Sequence, residues 1–138
     1  MTRNKLKVLI VEDNNDHQYI LLEQVARLGA IPTLAPTLKE TFKELKIAAS
    51  LRMPFDLIIL DLGLPDMKKD EPYSVITAVR TQEAYHHPDV AILLNTATPE
   101  QFKAGAYQAA EHRGIYTTHS PKLVREQELM ALLRLLST

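Results

Sequence analysis

Apolar residues occur along this chain as short unbroken runs set between amphipathic stretches. Val8-Leu9-Ile10-Val11, Leu57-Ile58-Ile59-Leu60 and Ala91-Ile92-Leu93-Leu94 are each apolar on consecutive positions. A strand with one face in water alternates apolar and polar residues. These runs do not alternate, so they predict the inner strands of a parallel sheet covered by helices on both faces. Two weaker strands are predicted, one over 31–35, where Pro32 suits an edge, and one at Ile115-Tyr116-Thr117-Thr118. Between them lie helix signals. A helix over about 16–28 stops at Gly29, a C-terminal cap, and a second opens on the capping box Thr37-Leu38-Lys39-Glu40. A third runs over about 73–81. A fourth opens on Thr98-Pro99-Glu100-Gln101 and ends near Gly114. The last begins near Pro121 and carries the stripe Leu129, Leu132, Leu133 and Leu136.

Strand and helix alternate five times, a (βα)5 pattern. Right-handed crossovers then predict an α/β, flavodoxin-like, doubly wound parallel sheet of strand order 2-1-3-4-5. Ligands of such sheets sit beyond the carboxyl ends of the strands, where the order reverses, which here lies between the first and third strands. The residues just past those strands are Glu12, Asp13 and Asp61. Each acid alone has a plain explanation as a helix cap or a solvated loop residue. Together they form a cluster of like charges, which is costly without a cation or a proton. An all-oxygen donor set points to Mg²⁺, which takes one or two carboxylates and leaves room for a phosphate oxygen. An aspartate beside that ion can act as a nucleophile and form an aspartyl phosphate.

Composition narrows the classes. The 138 residues suit one domain spanning 1–138. Sixteen Lys and Arg against 17 Asp and Glu give a net charge of −1, without the basic excess of a nucleic-acid binder. The absence of cysteine excludes disulfides and thiolate metal sites. No apolar run approaches the ~18 residues of a membrane span. The first residues lack a secretory pattern, so a cytoplasmic protein is expected. His86-His87, next to Pro88, sit in an expected connecting loop with no fixed third ligand, which makes a poor metal site.

Val8-Leu9-Ile10-Val11-Glu12-Asp13-Asn14 resembles the acidic first-strand end of response-regulator receiver domains. Phe55-Asp56-Leu57-Ile58-Ile59-Leu60-Asp61-Leu62-Gly63-Leu64-Pro65-Asp66 resembles their phosphoacceptor strand and loop, and Leu94-Asn95-Thr96-Ala97 their fourth-strand end. The resemblance covers nearly the whole chain. It implies that Asp61 accepts a phosphoryl group from a histidine kinase or phosphotransfer protein. It implies that Asp13, the backbone carbonyl of Gly63 and Glu12, often through water, hold Mg²⁺ with Asp61, and that Thr96 supplies the switch hydroxyl. It also implies that the face between the fourth and fifth helices meets a downstream partner or a second copy.

The sequence departs from that pattern at two places. Ser120 stands before Pro121 where the family usually has a lysine, and Lys122 lies beyond the proline. A missing charge-assisted bond to a phosphoryl oxygen would remove roughly 1–2 kcal/mol from switching. The loop Asp66-Met67-Lys68-Lys69-Asp70-Glu71-Pro72-Tyr73 is also about three residues longer than usual in the family. A pseudo-receiver that binds partners with little or no phosphorylation is the alternative. A haloacid-dehalogenase-like phosphatase would need a second aspartate where Gly63 stands. A cobalamin module would need an Asp-x-His spacing that Asp13-Asn14-Asn15-Asp16-His17 does not supply. The expected protein is therefore not an enzyme beyond its own phosphorylation.

Overall fold

The computed structural model describes residues 5–61, 64–66, 71–85, 87, 90–96, 117–121 and 124–137. Five parallel strands, β1 (Lys7–Val11), β2 (Ile31–Ala35), β3 (Leu57–Leu60), β4 (Ala91–Thr96) and β5 (Thr117–Pro121), pair in the order β2-β1-β3-β4-β5. The described helices are α1 (Asn15–Arg27), α2 (Leu38–Ser50), α3 (Glu71–Thr81), a single 3-10 turn at Glu83–Tyr85, and the C-terminal helix α4 (Glu126–Leu136). The expected fourth helix, with its capping box at Thr98, lies outside the described residues. No described helix is long and apolar enough to cross a membrane.

Strand pleating divides the core into two layers. Leu9, Val11, Ile58, Leu60, Ile92 and Leu94 pack with Leu45 of α2 and Val75 and Val79 of α3. Val8, Ile10, Leu57, Ile59, Ala91 and Leu93 pack with Leu21 and Val25 of α1 and Leu129, Leu132 and Leu133 of α4. The unbroken apolar runs of β1, β3 and β4 thus serve both layers. Asp56 pins the amino-terminal ends of these three strands. Its Oδ2 accepts from Lys7 N–H at 2.8 Å, its N–H donates to the Lys7 carbonyl at 2.8 Å, and its carbonyl accepts from Ala91 N–H at 3.1 Å.

Three expectations shift. The fifth strand occupies 117–121 rather than 115–118, of which 115 and 116 lie outside the described residues. It is polar, because a strand with a neighbour on one side only is selected by pairing more than by burial. Pro121 closes it at an edge, where a missing N–H is tolerated. The last helix starts at Glu126 rather than near Pro121, since Pro121 still belongs to β5. Finally, His87 is not an open loop residue. It is 1% exposed, its ring stacks on Phe55 at 5.7 Å, and its Nδ1 lies 3.1 Å from the Tyr85 carbonyl.

Helices α1 and α2 both end in a Schellman motif, with opposite sequence quality. After α1, Gly29 N–H donates to Ala26 and Ala30 N–H to Val25, and Gly29 takes the left-handed conformation, φ 87°. After α2, Arg52 N–H donates to Ala49 and Met53 N–H to Ala48, but here Arg52 occupies the left-handed position, φ 55°. A side chain there costs about 1–2 kcal/mol, less the entropy that glycine adds to the unfolded chain. Gly29→Ala should therefore destabilise the protein by about 1 kcal/mol, and Arg52→Gly should stabilise it by about 0.5–1 kcal/mol, by urea denaturation. Shifts of equal sign at the two positions would refute this account.

Candidate functional site

The pairing of β1 with β3 sets Val11 against Leu60. One residue further on, Asp61 N–H donates to the Val11 carbonyl at 3.0 Å, and Glu12 N–H donates to the Ala35 carbonyl of β2 at 3.2 Å. The backbone thus carries Glu12 and Asp61 out of the sheet side by side. Glu12 is fully buried and Asp61 is 4% exposed, while Asp13 is exposed. One carboxylate oxygen from each of the three lies within 4.8 Å of the others. The expected convergence at the reversal of strand order is present.

Local structure holds this cluster open to one side. Asn14 caps α1, its Oδ1 accepting from His17 N–H at 3.0 Å, and its own N–H donates to Glu12 Oε2 at 3.1 Å. Gln18 Nε2 donates to the Glu12 carbonyl at 2.8 Å, and His17 Nδ1 lies 3.7 Å from Glu12 Oε1. Glu12 is thereby fixed against the first turn of α1. Asp13 is left as the exposed member of the set. The donors are all oxygen, and two of the three residues are buried. That donor set fits a hard divalent cation that retains several waters.

Thr96 ends β4 and pairs with Pro121, so its backbone stands at the same end of the sheet as the acids. Ser120 is the in-register neighbour of Asn95. Gly63 and Lys122 lie outside the described residues, as do 67–70 of the long loop.

Two residues at this end escape sequence reasoning. One is Asp66, in the loop after Asp61. Its Oδ1 accepts from Leu38 N–H at 2.7 Å and its Oδ2 from Lys39 N–H at 3.1 Å, so it caps α2 from a distance in sequence of 28 residues. Thr37, the cap predicted from the sequence, accepts from Glu40 N–H at 3.1 Å, and the two caps serve different amides. The other is Asn95, a 1%-exposed amide at the end of an apolar strand. Its polarity within Ala91–Asn95 is the signal that marks it.

No protein-family model and no curated protein sequence matches the chain. Solved structures do. The chemotaxis protein CheY4 of Vibrio cholerae aligns with TM-score 0.68 and 20% identity over 96% of this chain and 99% of its own. The receiver domain of the sensor histidine kinase PA1611 from Pseudomonas aeruginosa, solved with a magnesium ion in its active-site cleft, aligns with TM-score 0.68 and 21% identity over 98% and 100%. A CheY-like receiver domain from Methylobacillus flagellatus aligns with TM-score 0.72 and 15% identity over 96% and 99%. At such identities the likeness carries the fold, and the chemistry must be argued from the side chains.

The bonds from Leu38 N–H, and then Lys39 N–H, hold the Asp66 carboxyl below its ordinary value of 3.8. Because the folded-state value is the lower one, the stabilisation is complete above 3.8 and is lost as pH falls through the folded value. Wild type should therefore melt above Asp66→Asn at neutral pH, and the gap should close as the pH drops below 3.8. A gap that stays constant down to the acid limit of thermal melts would contradict the capping role.

Proposed function

We propose that this chain, which has the fold of response-regulator receiver domains, is a phosphorylatable signalling receiver whose acceptor is Asp61. The observation that carries the reading is the cluster of Glu12, Asp13 and Asp61, with carboxylate oxygens within 4.8 Å at the reversal of strand order. An Asp61 carboxylate oxygen attacks the phosphorus of a phosphohistidine on a histidine kinase or phosphotransfer protein. The P–O bond forms, the P–N bond breaks, and the imidazole leaves. Asp13, Asp61, the Gly63 carbonyl and Glu12 would hold Mg²⁺. Such an ion, when bound, offsets the negative charge that a phosphoryl group adds to the carboxylates. The Thr96 hydroxyl would then meet a phosphoryl oxygen. The chain catalyses nothing else in this reading, and it works in the cytoplasm, where phosphohistidine donors are made.

Ser120 favours a second reading. It stands in β5 at the position next to Asn95 and brings no cation. A pseudo-receiver would keep the fold and bind partners without label. Incubation with Mg²⁺ and acetyl phosphate, followed by intact mass, separates the two. Wild type should gain one phosphate, and Asp61→Asn none. Asp13→Ala should lose Mg²⁺ binding by titration calorimetry, whereas Glu12→Ala should only weaken it. An unlabelled wild type would establish the pseudo-receiver, and label retained by Asp61→Asn would move the acceptor elsewhere.

The output side of the reading is the face between the expected fourth helix and α4. Leu129, Leu132 and Leu133 are buried as the stripe requires. Leu136 is partly buried against them, and Leu135 is 57% exposed. Met130 is half-buried and lines a cavity with Lys5, Arg27 and Leu133, so Leu135 is the apolar anchor that the described residues of α4 offer to this face. Leu135→Glu should weaken association of the phosphorylated chain with itself or with a downstream protein, measured by sedimentation. An unchanged profile would remove this face from the reading.

A further inference from the structure

We infer that Asn95 donates a hydrogen bond from Nδ2 to the phosphorylated Asp61 and couples that group to the root of α4. The inference rests on Asp61 being the phosphoacceptor.

The register places the two residues together. Leu60 pairs with Leu94, so the next residues, Asp61 and Asn95, are neighbours across β3 and β4. Neighbouring strands lie about 4.8 Å apart, and in-register residues of a parallel pair share a face. Parity gives the same result. Asp61 follows Leu57 and Ile59, Asn95 follows Ala91 and Leu93, and Glu12 follows Val8 and Ile10, all six members of the layer under α1 and α4. Glu12, Asp61 and Asn95 therefore form a polar row across the carboxyl ends of three strands. Ser120 holds the next register position on β5.

The amide of Asn95 is already oriented. Its Oδ1 accepts from the N–H of Val124 at 3.1 Å, two residues before α4. This bond sets the amide's direction and turns Nδ2 away from Val124. Asn95 is 1% exposed, and Nδ2 has no hydrogen-bond partner among the described residues. A buried donor without an acceptor is a cost that folded proteins seldom carry. The neighbouring position along the row is the one where a phosphoryl group would bring three acceptor oxygens. Phosphorylation thus completes the bonding of an amide whose other end holds the segment leading into α4. The same side chain carries the signal from Asp61 to α4.

The test uses the full chain with Mg²⁺ and beryllofluoride, a phosphoryl mimic. The side-chain NH₂ resonances of Asn95, assigned by through-bond correlation to its own backbone in the wild type, should move downfield and become protected from exchange when beryllofluoride binds. The backbone N–H of Val124 should shift in the same titration. Asn95→Leu should lower beryllofluoride affinity by about tenfold, the scale of a hydrogen bond to a charged group, with Mg²⁺ affinity unchanged. Unmoved Asn95 NH₂ resonances in a wild type that binds beryllofluoride would overturn the inference and leave Asp61 as acceptor. If Asn95→Leu does not fold, the wild-type resonances still decide. A wild type that binds no beryllofluoride would overturn the phosphoacceptor reading and this inference with it.

Discussion

Val11 pairs with Leu60, and Leu60 with Leu94, in one unbroken parallel register. Everything at the candidate site depends on this alignment. A slip of one residue in β3 would turn Asp61 into the layer beneath α2 and α3 and carry Leu60 to the acids. The register is resisted at both ends. The Asp56 bonds to Lys7 and Ala91 hold the amino-terminal ends, and the Asp61 bond to Val11 holds the carboxyl-terminal ends. Two apolar layers oppose a slip as well, since each inner strand is buried on both faces.

Against that rigid sheet the polar end of the molecule is a set of balanced costs. Glu12 and Asp61 bury two carboxylates near each other, a placement that is costly without compensating partners. Part of the compensation is local, from the Asn14 N–H to Glu12. A cation bound there would couple binding to stability. The described segment 64–66 after Asp61 is anchored as well. Asp66 fastens it to the first amides of α2 on one side. Asn95 and Val124 offer the corresponding link to α4 on the other.

Much of this was legible before any coordinates. The runs of β1, β3 and β4 announced strands buried on both faces. Thr37 and Gly29 marked helix ends where the structure places them. The alternation of strands and helices fixed the strand order and hence the meeting of Glu12, Asp13 and Asp61. The ends of β5 and α4 were not legible, because an edge strand is chosen by backbone pairing and carries little apolar signal. His87 was also misjudged: its burial comes from Phe55, over thirty residues away.

The sequence by itself determined what depends on near neighbours: hydrophobic period, caps, and the topology that right-handed crossovers force. Only the tertiary structure decided what depends on distance in the chain. Asp66 gives no hint in sequence that it will cap a helix 28 residues before it. Asn95 gives no hint that its amide will be clamped by Val124, 29 residues on, with one donor left over beside Asp61. Local signals act through steric and hydrogen-bonding preferences within a turn or two. The partners of a buried polar group are set by which elements the packed core happens to bring within 3 Å or so of it.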